Sequence, residues 1–153
     1  MPAYYPVCLN LTGKKCLVFG GGPIAEDKIA KFQSSGAQIT IVSPTVTPNL
    51  QAWAHRGDFQ WQPREYQAGD MEGAFLSIAA TNDRQVNHEI FQESERLGVL
   101  MNVADAPEQC TFIAPAIVQR GQATQVLLLL SGKRRKGGHH VGKQRVPPGR
   151  RHL

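Results

Sequence analysis

The sequence predicts an α/β fold, a Rossmann-like doubly wound parallel sheet, from three observations. Short apolar runs alternate with amphipathic stretches for about 100 residues, the pattern of strands linked by crossover helices. The first of these runs breaks into Gly20-Gly21-Gly22 and then into a helix-like stretch. A length of 153 residues is enough to bury a real core as one domain with an appendage.

The elements follow in order. Cys16–Phe19 reads as a buried strand and Ile24–Ser35 as the helix after the glycines. Gln38–Val42 alternates, is rich in β-formers and stops at the breaker Ser43-Pro44, so it is the second strand. Leu50–His55 is a short helical candidate and Phe59–Gln62 a weaker third strand. Gly73–Ala80 is a buried fourth strand, after which Thr81-Asn82-Asp83 forms a turn with a helix cap. Val86, Ile90 and Leu97 fall on one stripe of an amphipathic helix over Val86–Leu97, with Glu89, Glu93 and Glu95 directed elsewhere. Val99–Val103 completes the set as the fifth strand. In such a sheet, ligands sit at the carboxyl ends of the strands.

Charge is divided unevenly along the chain. Residues 1–130 hold nine Lys/Arg and twelve Asp/Glu, a balance of −3, whereas residues 131–153 hold eight Lys/Arg and no acid, bringing the whole to +5. The alkaline balance therefore belongs to the tail. Cys8, Cys16 and Cys110 are an odd number without CxxC spacing, which predicts reduced cytosolic thiols and neither a disulfide framework nor a zinc site. The opening Met1–Pro6 lacks the basic start and apolar stretch of a signal peptide, and the longest apolar run, Val126–Leu130, is too short to span a bilayer. A cytoplasmic protein is expected.

The glycine turn carries the chemistry. Gly20 would let the chain turn sharply out of the strand, Gly22 would let the backbone approach a pyrophosphate, and Ala25 stands where a third glycine would let helix and strand pack closely. The helix N-terminus behind it presents free N–H groups and a partial positive charge. On this reading Gly20, Gly21, Gly22, Pro23 and Ile24 hold the pyrophosphate of a dinucleotide; the bland alternative is a structural turn with no ligand. Ser43, Pro44 and Thr45 lie where the second strand would meet the adenosine ribose. An acid usually accepts from the ribose 2′-OH at that strand end. Here Ser43 stands in its place, with no arginine beside it to recruit a 2′-phosphate, so NAD is expected rather than NADP. Ala80 and Thr81, at the tip of the fourth strand, fall on the nicotinamide side.

Other residues are read more plainly. His55 and His88 look solvated rather than metal-binding, and no metal ligands are assigned. Cys16 is a small core residue. Arg64 and Lys28 read as surface charges, Lys28 with an alternative role in supporting the phosphate-binding helix, and Glu26-Asp27 complement the helix dipole.

Taken together, Tyr5-Pro6, Lys15-Cys-Leu-Val-Phe-Gly-Gly-Gly22 with Ala25 and Lys28, Gly36-Ala37, Ile78-Ala-Ala-Thr-Asn-Asp83, Val86-Asn87, Asn102-Val-Ala-Asp-Ala-Pro107 and Phe112-Ile-Ala-Pro-Ala-Ile117 resemble, in order, the precorrin-2 dehydrogenases of siroheme synthesis. The resemblance covers roughly residues 4–122. It implies an NAD-dependent oxidoreductase that takes hydride from the tetrapyrrole precorrin-2 and yields sirohydrochlorin, with ferrous iron insertion in some relatives and a homodimer as the family's assembly. It also implies a catalytic role for Asp105, as a proton acceptor when hydride leaves or when metal enters. Read from the residues alone, Asp105 could equally form an Asx turn before Pro107. Asn102 could orient Asp105 or simply end the strand.

The resemblance stops near residue 122, where relatives continue into a strand, a Gly-rich serine loop and a helical region for dimerisation and tetrapyrrole binding. The residues here run Ala123-Thr-Gln-Val-Leu-Leu-Leu-Leu-Ser-Gly-Lys-Arg-Arg-Lys136, followed by a Gly-, Pro- and Arg-rich end without helical period. A shifted reading frame near residue 123 accounts for this; a basic arm for nucleic acid is the competing reading. The expected organisation is an NAD-binding domain over residues 1–113, a remnant of the dimerisation and substrate region over 114–130, and a basic disordered tail over 131–153. The alternative function is a module that binds NAD but is catalytically impaired.

Overall fold

In the computed structural model of the chain, the structure describes residues 4–114 and the backbone of 116–120 and 123–127. Residues 4–114 carry five parallel strands: β1 (Lys15–Phe19), β2 (Gln38–Val42), β3 (Gln60–Gln62), β4 (Leu76–Ala79) and β5 (Leu100–Val103), ordered β3-β2-β1-β4-β5. The chain winds outward from β1 to β3 and then returns to β4 on the other side of β1. The switch point of this doubly wound sheet is thus between β1 and β4, the place where such folds leave a crevice.

Strand alternation assigns the two faces. Cys16, Val18, Ile39, Ile41, Leu76 and Ile78 pack with Ala25 and Ile29 of α1 (Pro23–Phe32) and Leu50 of α2 (Pro48–His55). Leu17, Phe19, Val42, Ala79, Met101 and Val103 face the other way, against Ile90 of α3 (Arg84–Leu97) and Met71 of the loop between β3 and β4. Ala25 is fully buried, as its replacement of a third glycine requires. Cys16 is also fully buried, and burial pushes its thiol up to about 11, so it behaves as a small hydrophobe.

The expected element order stands, with local shifts. Pro23 and Pro48 extend α1 and α2 toward their N-termini, since the fixed proline φ suits a first helical position. Among the described residues, no helix is long and apolar enough to cross a membrane. Separately, β6 (Ala116–Arg120) and β7 (Ala123–Leu127) pair antiparallel, with Ala116 opposite Leu127 and Arg120 opposite Ala123. The readings of residues 131–153 as a tail fall outside the described residues.

Candidate functional site

The chain leaves β1 through Gly20, Gly21 and Gly22, and the three differ in what they permit. Gly20 has φ +110°, and a Cβ there would lie 2.3 Å from the Ala80 carbonyl oxygen beyond β4. At Gly21 a Cβ would meet the Thr45 carbonyl oxygen at 2.2 Å, so the loop after β2 rests on this residue. At Gly22 nothing among the described residues lies within 4 Å of such a Cβ. The first two glycines let the protein pack on itself; the third faces open space. Among the described residues no side chain caps the α1 N-terminus there, so its first-turn N–H groups are open to an acceptor, an opening reinforced by the helix dipole.

A cleft of about 640 Å³ opens at this end of the sheet and gathers Gly20, Gly21, Gly22, Pro23, Ser43, Pro44, Thr45, Ala80 and Thr81. Of the sequence-predicted residues, Ile24 and Asp105 are outside its lining. Ile24 is 46% exposed on the first turn of α1. A second hollow of about 620 Å³ lies at the opposite end of the strands, around Lys15, Gln38 and Gln60, with Gly57 as its lining glycine.

Hydrogen bonds hold the cleft's loops in place. Ser43 is buried; its hydroxyl donates to the Thr45 carbonyl at 2.7 Å and its own carbonyl accepts from Trp61 Nε1 at 2.9 Å. Thr47 N donates to the Gly21 carbonyl at 2.9 Å. Glu26 accepts from Thr47 Oγ1 and from Asn49 Nδ2, which together hold its carboxyl below its ordinary value. Its role is therefore to tie α1 to the N-cap of α2, beyond the dipole effect that sequence assigns it. At β4, Asn87 is buried and grips Thr81 from both sides: its Oδ1 accepts from Thr81 Oγ1 at 2.7 Å, and its Nδ2 donates to the Thr81 carbonyl at 3.0 Å.

The far wall comes from the loop between β3 and β4, through Glu65 and Tyr66. Tyr66 stands edge-on to Phe19, ring centroids 5.3 Å apart, and donates to Glu93 Oε2 at 2.7 Å. Burial, then the Glu93 carboxylate, hold the phenol above its ordinary value, so it remains a donor. Glu93 also accepts from Gly69 N at 2.6 Å and is buried at 5% exposure. This corrects the expectation that Glu93 points away from the apolar stripe. Three residues after Ile90 and four before Leu97, it lies on the stripe by helical period, and the loop's donors offset the cost of burying it. Arg64 is likewise no free surface charge. Its guanidinium binds Asp70 through two bonds, at 2.9 and 2.7 Å, and Gln62 Oε1 at 2.6 Å.

Asp105 lies two residues beyond β5 with φ +60°, the positive-φ residue other than glycine among the described residues. The left-handed region is strained for a residue with a Cβ, although Asp tolerates it better than most. Its side chain is exposed, and among the described residues its carboxylate accepts no hydrogen bond, so the Asx turn is not formed. Asn102 is buried and, among the described residues, makes no hydrogen bond to Asp105. Its Nδ2 donates to the Phe112 carbonyl at 3.1 Å and to Cys110 Sγ at 3.7 Å, stapling the following segment to β5. Cys110 Sγ accepts from Val103 N at 3.2 Å, and burial raises its thiol despite that bond. His88 is half-buried between Gln92 and Gln109 rather than solvated, whereas His55 is exposed. Among the described residues no group of three or more His, Cys, Asp or Glu could hold a metal ion.

A family model described as putative NAD(P)-binding matches residues 7–116. A siroheme synthase from Nitrosococcus oceani is 38% identical over 117 residues, 76% of this chain and 25% of that protein. One from Methylobacillus flagellatus is 39% identical over 115 residues, again 25% of its length. A probable multifunctional siroheme biosynthesis protein from Ruminiclostridium josui is 37% identical over 115 residues, 22% of its length. The chain thus spans about a quarter of the curated relatives it matches. Among solved structures, the precorrin-2 dehydrogenase SirC superposes with a TM-score of 0.70 at 30% identity, over 81% of this chain and 61% of SirC.

Proposed function

We propose that this chain, which belongs to the putative NAD(P)-binding family, binds NAD in the cleft at the β1/β4 switch point and oxidises precorrin-2 to sirohydrochlorin in siroheme synthesis. The observation that carries the reading is the uncapped α1 N-terminus behind a Gly22 with open space in front of it, a setting that suits a pyrophosphate. The siroheme synthases and SirC support the substrate.

The choice of NAD rests on charge. Among the described residues the cleft is lined by Glu65, Asp83 and Glu89 and by no Lys or Arg. A 2′-phosphate would meet carboxylates there. Arg64, adjacent in sequence, is engaged by Asp70.

A bound nicotinamide supplies the hydride acceptor. The chain supplies position and a base: α1 and the glycine turn hold the pyrophosphate, and Thr81, fixed by Asn87, borders the nicotinamide side. Asp105 takes the proton that leaves precorrin-2 along with the hydride, the two losses that yield sirohydrochlorin. Its unengaged carboxylate and strained backbone support this role. Ferrous iron insertion extends the same reading, with Asp105 accepting the displaced pyrrole protons.

The test is turnover of precorrin-2 with NAD, followed by sirohydrochlorin absorbance and NADH formation. Asp105→Ala should fold and bind NAD yet lose turnover by about 100- to 10,000-fold, the usual contribution of a positioned base. Parental turnover in that variant would remove Asp105 from the chemistry. A parent that binds NAD and turns over nothing would favour the binding-module reading.

A further inference from the structure

We propose that Glu65, on the loop between β3 and β4, is the residue that selects NAD over NADP, by accepting from the adenosine ribose hydroxyls; the assignment rests on the dinucleotide reading of the cleft. The acid that usually does this stands at the end of the second strand. Here that position is Ser43, buried, with its hydroxyl proton committed to the Thr45 carbonyl at 2.7 Å.

The sheet register brings a replacement. Val42, the last residue of β2, pairs with Gln62, the last residue of β3, and Ser43 N donates to the Gln62 carbonyl at 3.2 Å. The loop that follows Gln62 therefore emerges beside the β2 end, and three residues later Glu65 lines the cleft. Its carboxylate is exposed and, among the described residues, accepts no hydrogen bond. The loop on either side of it is held firmly. Arg64 and Asp70 close it on itself, and Glu93 grips Tyr66 Oη and Gly69 N from behind. A carboxylate so held presents acceptors to a ribose diol and repels a phosphate on the 2′ oxygen. Arg64, the cation next in sequence, has its guanidinium engaged and cannot reverse that preference.

Titration calorimetry of the full chain with NAD and with NADP tests the assignment. Glu65→Gln should weaken NAD by about tenfold, the loss expected when a hydrogen bond to a charged acceptor becomes one to a neutral acceptor, while NADP binding stays level or improves. Glu65→Arg should invert the preference. Both variants should keep the parental circular dichroism, because the side chain is exposed. Variants that retain the parental NAD-to-NADP ratio, while the parent binds NAD, overturn this assignment alone. A parent that binds neither dinucleotide overturns the cofactor reading and this assignment with it.

Discussion

Of the helices that begin at the carboxyl end of this sheet, the one after β1 and the one after β4 begin in opposite ways. α1 starts at Gly22 with no side-chain cap. α3 starts at Asp83, whose carboxylate accepts from Gln85 N at 2.8 Å and Val86 N at 3.2 Å. Both termini carry the same dipole and leave first-turn donors without an intrahelical acceptor, one fewer in α1 because its first residue, Pro23, has no N–H. Only the second satisfies its own. A dinucleotide cleft thus needs more than a helix pointing at it: the N-terminus must be left chemically incomplete, and glycine is the residue that leaves it so without filling the space.

The comparison breaks most sharply at Gly22. Gly22→Asp makes α1 resemble α3, with a carboxylate at the N-cap and a negative charge facing the pyrophosphate site. NAD affinity should fall by on the order of 100-fold or more, as juxtaposed like charges cost several kcal/mol. Thermal stability should hold or rise, because Asp is a favoured N-cap. Calorimetry and a melting curve check both halves. Equal NAD affinity in parent and variant would remove the phosphate from this turn.

The converse change is smaller. Asp83→Ala strips the cap from α3, which should cost about 1 kcal/mol of stability and lower Tm by a few degrees. NAD affinity should stay within about twofold, since the pyrophosphate is assigned to the other helix. A large loss of affinity with unchanged Tm would mean that the two termini share the ligand.

The smallest effect concerns the cleft wall built by the loop between β3 and β4. Burial alone pushes the Asp70 carboxyl up, but the Arg64 guanidinium and the Gln67 N–H override it and hold the group below its ordinary value. A carboxylate with a lowered folded-state pKa contributes stability that is present above the unfolded value, near 3.9, and lost as pH falls through the folded one. Below about pH 4, amide protection at Gln67, where the N–H donates to Asp70 at 2.8 Å, should decline before that of α1. Hydrogen exchange corrected for intrinsic rates measures this. Simultaneous loss in both places would show that the loop has no separate acid sensitivity.

Much of the site was legible in local sequence, and the exceptions share a cause. Gly20 and Gly22 mark the turn, and Thr81-Asn82-Asp83 marks both a strand end and a cap, because these residues act within a few positions of themselves. Glu93, Asn87 and Arg64 act on partners 24, 6 and 6 residues away: Glu93 on Gly69, Asn87 on Thr81, and Arg64 on Asp70. Glu93 and Arg64 read as solvent-facing charges until the chain brings the partner to them. A helical-period reading taken strictly would have placed Glu93 on the buried face; its charge argued against it.

By itself, the sequence determined the alternation of strands and helices, the glycine turn after the first strand and the resemblance on which the substrate rests, since periodicity, φ preference and motif order are properties of consecutive residues. Only the tertiary structure decided that the Ser43 hydroxyl is committed to Thr45 while Glu65 lines the same cleft, and that Asn102 donates to Phe112 and Cys110. Those outcomes depend on parallel register and on the path of the loop between β3 and β4, which bring together donors and acceptors far apart in the chain.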